Sequence, residues 1–117
     1  MNERRLVIDL DGTICTQMDS ETYGLATPKW DVICQVNKCY VAGWYILIFT
    51  ARGMNTCQGD ICLIEDRYRK MTEDWLKKHV VMYHELKFGK PPGTMYVDDK
   101  CVDLEKFSKG DCFARGH

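Results

Sequence analysis

The chain has 117 residues, of which 45% are hydrophobic and 28% charged, and its formal net charge is -1. That length and balance fit a single soluble globular domain, residues 1–117, with room for one core. The near-neutral charge argues against a general nucleic-acid binder, which is usually clearly basic, but it is compatible with a small phosphorylated substrate held by a local cluster of cations.

The N-terminal MNERRLVIDLDG sets two arginines before an apolar run. Asp9 interrupts that run after Leu6, Val7 and Ile8, so the hydrophobic region of a signal peptide is missing. The longest other apolar run, WYILIF at 44–49, is far too short to span a bilayer. A soluble, cytoplasmic protein without a membrane partner is therefore expected.

Residues 5–9 read as a short buried strand running straight into DLDG. The stretch GTICTQMDSETYGLA is a polar excursion, in which Tyr23 and its neighbours could form a flap. Thr27 and Pro28 read as an N-cap and a first-turn proline. The helix they open runs to about Ala42, with Trp30, Ile33, Asn37, Tyr40 and Val41 on one stripe and Gly43 as its stop. WYILIF is apolar at every position, the signature of a strand covered on both faces of a parallel sheet, and Thr50 follows it.

After TARGMNTCQG a second helical pattern starts near Asp60, with Ile61, Ile64, Tyr68, Met71 and Trp75 on one stripe. Thr72 offers a second N-cap, so this pattern fits one helix or two. VVMY at 80–83 reads as a third strand and MYV at 95–97 as a fourth, after the turn GKPPGT. A short helix at 102–107 and an edge strand at 112–113 would complete the chain. Trp30, Trp44 and Trp75 read as core or helix-packing residues, and His79, His84 and His117 as surface residues. The alternation predicts an α/β, doubly wound, mostly parallel sheet. Such sheets bind ligands beyond the carboxyl ends of their strands, where Asp9, Thr50 and Asp98 fall.

Seven cysteines, at 15, 34, 39, 57, 62, 101 and 112, form no CxxC pair, and they read as thiols of a reducing compartment. Cys57 and Cys62 followed by His79 and His84 loosely resemble a Cys2His2 zinc set. The long gap between the two pairs, crossed by a predicted helix, argues against zinc.

Two carboxylates two positions apart at the end of a buried strand repel each other unless a cation pairs with them. Side chains two apart on a strand share a face, so Asp9 and Asp11 address one site. Gly12 lets the backbone turn sharply and lets a ligand approach it. Thr50 adds a hydroxyl, Lys90 a point charge, and Asp98 and Asp99 two more carboxylates. Hard oxygen ligands around one lysine and one hydroxyl suit Mg2+ and a phosphoryl group.

These residues resemble the haloacid dehalogenase (HAD) superfamily of phosphohydrolases over most of the chain. Its four motifs occur in order as DLDGT, ILIFT, GKP and YVDD. The resemblance implies a three-layer, Rossmann-like core. It implies Asp9 as a nucleophile that forms an aspartyl-phosphate, and Asp11 as the acid and base for the leaving oxygen and the attacking water. Thr50 and Lys90 would hold the transferring oxygens, with Gly12, Ala51 and Arg52 also at the substrate. Mg2+ would sit between Asp9, the carbonyl of Asp11 and Asp98, with Asp99 as a further or water-mediated ligand. Lys87 rivals Lys90 for the third motif, but the proline after Lys90 favours Lys90.

The intervals from Gly12 to Thr50 and from Ala51 to Gly89 are filled by predicted core elements, so no cap domain fits. TARGM, WLKKH and FGKP are similar to small capless phosphatases associated with surface-polysaccharide and sugar-phosphate pathways. Capless relatives often close one subunit's site with another, so a homo-oligomer is an expectation. Arg52, Lys100 and the segment around Tyr23 could set substrate choice, although Arg52 and Lys100 read equally well as surface residues.

Two other readings stand beside this one. A receiver domain also gathers acids, a hydroxyl and a lysine at strand ends, but its phosphoacceptor lies on a later strand, and here the later strands end in Thr50 and His84. A catalytically silent relative serving as a binding or regulatory domain is the other; the intact Asp9 and Asp11 argue against it.

Overall fold

The computed structural model describes residues 4–19, 21–54, 57–89 and 95–97. Among the described residues are four strands, β1 (Arg5–Asp9), β2 (Tyr45–Thr50), β3 (Glu85–Phe88) and β4 (Met95–Val97), and two α-helices, α1 (Trp30–Val41) and α2 (Ile61–Lys78). The sheet order is β3-β2-β1-β4, and every pair is parallel. Leu6, Val7 and Ile8 of β1 are inaccessible to solvent on both faces, as a central strand of a parallel sheet must be.

The chain steps in the same direction from β1 to β2 and from β2 to β3. Because such crossovers are almost always right-handed, both connecting helices fall on one face. The core bears this out: Leu6, Ile8, Ile46, Ile48 and Leu86 cluster with Val32, Ile33, Val36 and Cys39 of α1 and with Trp75 and Leu76 of α2. Val7, Leu47 and Phe49 project from the opposite face and cluster separately, with Tyr45 packed against them. β4 pairs with the other side of β1, so the strand order reverses there. The switch point of the sheet, where ligands of open α/β folds bind, lies at the carboxyl end of β1.

Several elements differ from the sequence expectation. α1 starts at Trp30, and Thr27 does not cap it. Thr27 instead pairs across the preceding loop: Thr16 N–H donates to the Thr27 carbonyl, and Thr27 N–H donates to Thr16 Oγ1, each at 2.9 Å. Lys29 N–H donates to the Ile14 carbonyl at 2.8 Å. These bonds close the neck of the loop 17–26 and keep the chain extended through Pro28, whose ring also disfavours helix in the residue before it.

The buried stripe of α1 is Val32, Ile33, Val36 and Cys39, which leaves Trp30 and Val41 exposed. Asn37 acts as a clamp: its Nδ2 donates to the Val80 carbonyl at 2.9 Å, and its Oδ1 accepts from Met82 N–H at 2.8 Å. α2 is one continuous helix, capped by the Asp60 side chain, which accepts from Leu63 N–H. Thr72 lies buried in its interior, on the stripe of Ile64, Tyr68, Trp75 and Leu76.

The third strand is not VVMY at 80–83. Val80 has a left-handed φ of 57°, its N–H donates to the Lys77 carbonyl, and Val81 N–H donates to the Leu76 carbonyl. This is the bonding of a Schellman helix stop, with Val81 and Leu76 sharing the core beneath it. Pairing to β2 begins at His84. Its N–H donates to the Ile46 carbonyl and its Nδ1 accepts from Ile46 N–H, both at 2.9 Å. The His84 ring is stacked between Tyr40 and Tyr45.

The predicted helix at 102–107 and edge strand at 112–113 lie outside the described residues. The zinc pattern is dispersed: Cys57 is buried, Cys62 is exposed on α2, His79 ends that helix and His84 stacks on tyrosines. Among the described residues no group of three or more His, Cys, Asp or Glu is placed to hold a metal ion. No described helix is long and apolar enough to cross a membrane.

Val80 is 68% exposed, so its side chain contributes little packing. A left-handed conformation costs a side-chain-bearing residue about 1–2 kcal/mol, and glycine gives back about 0.4–1 kcal/mol through its freer unfolded state. Val80→Gly should stabilise the protein by about 0.5–1 kcal/mol, read as a higher urea midpoint with an unchanged slope.

Candidate active site

β1 ends at Asp9, which is half-buried at the strand tip. The ladder continues one residue further, with Leu10 N–H donating to the Phe49 carbonyl at 3.0 Å, and then the chain turns. The Leu10 carbonyl accepts from the N–H groups of Thr13, Ile14 and Cys15, and Gly12 N–H donates to the Cys15 carbonyl at 2.7 Å. Gly12 has φ +85°, a conformation that side chains disfavour. The turn takes Asp11 out of the strand, so it does not follow the alternation expected after Asp9, and its carboxylate turns inward, 8% exposed.

Asp11 is held from three sides. Thr50 Oγ1, at the end of β2, donates to Asp11 Oδ2 at 2.7 Å. Arg52 Nε lies 3.0 Å from Oδ1 and 3.3 Å from Oδ2. The Cys15 thiol lies 3.9 Å from Oδ1. Thr50 Oγ1 also accepts from the Arg52 backbone N–H at 3.1 Å, so both hydroxyl functions of Thr50 are engaged around Asp11.

Arg52 is 1% exposed. Its Nη1 donates to Thr72 Oγ1 at 3.3 Å, and its Nη2 lies 3.9 Å from Cys15 Sγ. The Thr72 hydroxyl spends its own hydrogen on the Tyr68 carbonyl at 2.7 Å, so a lone pair remains for the guanidinium. The guanidinium carbon sits 4.5 Å from the Tyr23 ring centroid, a cation–π distance. Tyr23 belongs to the 3-10 turn Tyr23–Leu25 and packs edge-on against Tyr68 at 5.5 Å. Its hydroxyl accepts from Gly53 N–H at 3.3 Å. The loop expected as a flap is therefore anchored by its tyrosine over a buried ion pair. Gly53 permits this: a Cβ there would meet the Tyr68 ring at 2.7 Å, and its φ is +79°.

These surroundings govern the neighbouring protons. Burial, with the Asp11 charge adding to it and Asp9 contributing less, pushes the Cys15 thiol up to about 12 against the opposing pull of Arg52. The thiol therefore stays neutral beside the Asp11–Arg52 pair. Burial likewise raises the Tyr23 phenol, partly offset by the Gly53 N–H bond.

Of the residues singled out in the sequence, the structure gathers Asp11, Thr50 and Arg52 at the carboxyl ends of β1 and β2, beside Asp9 and Gly12. Ala51 is exposed at the tip of β2, and its carbonyl accepts from Met54 N–H. Arg52 departs from the expectation of a residue reaching out to substrate, because its guanidinium is enclosed by protein. Lys90, Asp98, Asp99 and Lys100 lie outside the described residues.

Sequence reasoning missed Cys15, Thr72 and Lys29 as members of the site. Lys29 Nζ donates to the Gly12 carbonyl at 3.1 Å and ties the turn to the start of α1. Thr72 did leave a trace: a threonine in a helix interior is out of place on propensity, and it falls one turn after Tyr68 on the buried side.

The Leu10 and Gly12 carbonyls are engaged by protein donors, which leaves the Asp9 carboxylate and the Asp11 carbonyl as the oxygens to consider at the strand tip. Both are hard oxygens of the kind Mg2+ takes, so the residues present fit that ion.

Alkylation tests the protonation and burial of the thiols. At pH 8 the native protein should be labelled at Cys34 and Cys62, which are exposed, while Cys15 is spared and reacts only after unfolding. Peptide masses read the outcome, and rapid native labelling of Cys15 would contradict this geometry.

No family model matches the sequence, and no curated protein matches it. The crystal structure of a target protein from Vibrio cholerae is similar at 35% identity and TM-score 0.75, over 90% of this chain and 87% of that one. A Pnkp1/Rnl/Hen1 RNA repair complex contains a chain similar at 17% identity and TM-score 0.57, over 97% of this chain and 32% of that one. D,D-heptose 1,7-bisphosphate phosphatase from B. bronchiseptica, crystallised with magnesium and phosphate, is similar at 12% identity and TM-score 0.50, over 97% of this chain and 64% of that one. The last two show a shared fold. The chain belongs to the family of the Vibrio cholerae protein, and its fold is HAD-like.

Proposed function

We propose that the chain is a Mg2+-dependent phosphomonoester hydrolase acting through an aspartyl-phosphate on a small phosphorylated metabolite such as a sugar phosphate. The observation that carries this reading is the pairing of two differently placed carboxylates at the switch point of the sheet. Asp9 is half-buried at the strand tip, and Asp11 is buried and fixed by Thr50 from the adjacent strand. Asp9 is partly exposed at the strand tip and Asp11 is held for proton transfer, a division of labour suited to nucleophilic catalysis with acid–base help.

In this reading Asp11 enters the cycle as the neutral acid: an Asp9 oxygen attacks phosphorus, the bond from phosphorus to the ester oxygen breaks, and Asp11 gives that oxygen its proton, becoming the carboxylate that Arg52 faces. Water then attacks the phosphoryl group, Asp11 takes the water's proton, and the bond to Asp9 breaks. Inorganic phosphate leaves and Asp9 is restored. The Asp9 carboxylate and the Asp11 backbone carbonyl would help hold Mg2+, joined by Asp98 and Asp99. The ion supplies charge compensation for the phosphoryl oxygens. Lys90 would add a second positive charge there, and Thr50 would orient Asp11 in addition to any contact with the phosphoryl group.

We further propose that the domain is single and capless, with a cytoplasmic location. In support, the described residues between Gly12 and Thr50 form the anchored loop, α1 and β2, and those between Ala51 and Gly89 end in α2 and β3. A site without a cap is open, which favours closure by a second copy. A sugar phosphate as substrate is supported by the name of the heptose bisphosphate phosphatase that shares the fold.

Phosphate release from an aryl phosphate and a panel of sugar phosphates, with and without Mg2+, tests the proposal. Turnover should need the metal, and Asp9→Asn should lower it by at least about 1,000-fold, as loss of an essential nucleophile does. Turnover that survives Asp9→Asn would overturn the assignment of the nucleophile.

A further inference from the structure

A buried arginine at a candidate phosphate site invites the reading that it binds the phosphate, and the geometry points elsewhere. All three guanidinium nitrogens are directed at protein: Nε at both oxygens of Asp11, Nη1 at Thr72 Oγ1 and Nη2 at Cys15 Sγ. The Tyr23 ring covers the guanidinium at 4.5 Å, and the residue is 1% exposed. Each nitrogen of the guanidinium thus has a protein partner, and the group presents almost no surface to a ligand.

We propose that Arg52 is a positioning residue: it fixes the Asp11 carboxylate for proton transfer to and from the reacting oxygens and does not itself touch substrate. This rests on the phosphatase reading above. The supports of Arg52 come from three separate parts of the chain. Thr72 is on α2, Cys15 follows the nucleophile turn, and Tyr23 is in the necked loop. The guanidinium therefore links these parts to the acid–base carboxylate. A planar fork is suited to this task, because Nε spans both carboxylate oxygens while the terminal nitrogens are anchored elsewhere; a lysine ammonium has no such second arm.

The first test compares esters with good and poor leaving groups, since an aryl oxide departs with little protonation and an alkoxide needs it. For Arg52→Gln, kcat on a sugar phosphate should fall by about 100-fold or more, the low end of what acid–base help supplies. Its KM should move by less than about threefold. The loss on a nitrophenyl phosphate should be at least about tenfold smaller. Arg52→Lys, which keeps a charge inside should the glutamine variant fail to fold, should show the same split. A KM rise of about tenfold or more with kcat retained would mean that Arg52 binds substrate. Equal kcat losses on both esters would mean that its role is only structural. Either result overturns the proposal.

The second test needs no activity. Urea unfolding of Asp11→Asn, Arg52→Gln and the double variant should show non-additivity of about tenfold or more in the unfolding constant. Additive effects in an active enzyme would overturn the positioning role alone. Absence of turnover by the wild type would remove the phosphatase reading and this proposal with it.

Discussion

Deep in the protein a guanidinium faces a carboxylate, and most of the local architecture exists to make that arrangement tolerable. Removing either partner of a buried ion pair costs about 3–5 kcal/mol, because the survivor is left uncompensated. Here the Asp11–Arg52 pair is surrounded by groups that satisfy what remains: the Thr50 hydroxyl on one carboxylate oxygen, Thr72 on the guanidinium and a neutral Cys15 thiol beside both. A threonine in the middle of α2 and a glycine with positive φ after β2 are local departures from good helix or strand practice. Both are explained by what they do for this pair.

The same constraint organises the chain around the site. The sheet order brings the ends of β1 and β2 side by side, which places the Asp11 turn against Thr50. The loop between Thr16 and Thr27 is pinched at its neck by two hydrogen bonds, and its tyrosine closes over Arg52. Lys29 ties the Gly12 carbonyl to the helix that follows. The turn that carries the two aspartates is thus supported from α1, from β2 and, through Arg52, from α2, while Asp9 stays half-buried at the strand tip. An accessible carboxylate beside a rigidly held one is the asymmetry that covalent phosphoryl transfer would use.

Much of this was legible in the sequence, and the failures have physical causes. β1 matched residue for residue because an apolar triplet broken by an aspartate has few other solutions, and WYILIF gave a buried parallel strand shifted by one residue. The strand expected at 80–83 failed because two valines carry strand propensity wherever they stand. A helix stop with valine in a left-handed conformation is decided by the packing of Val81 beneath Leu76. The buried stripe of α1 is rotated from the expected one: Trp30 and Val41, though large and apolar, face outward, whereas Val32, Ile33, Val36 and Cys39 pack against the sheet. At the site, Asp11 and Thr50 do meet, but the strand alternation expected to put Asp9 and Asp11 on one face ends at the turn after Leu10. The motif spacing did not reveal that Arg52 turns inward, because that depends on Cys15, Tyr23 and Thr72 arriving from three distant parts of the chain.

Asp9 is the residue on which the proposed chemistry depends most directly. The protein would be mixed with an aryl phosphate and Mg2+, quenched in acid and reduced with borohydride, which converts an acyl phosphate on a side chain to an alcohol and leaves free carboxylates intact. Mapping the modified peptide should place the change on Asp9 and on no other carboxylate. Turnover under the same conditions with Asp9 unmodified, or with the change on a different aspartate, would rule out Asp9 as the nucleophile.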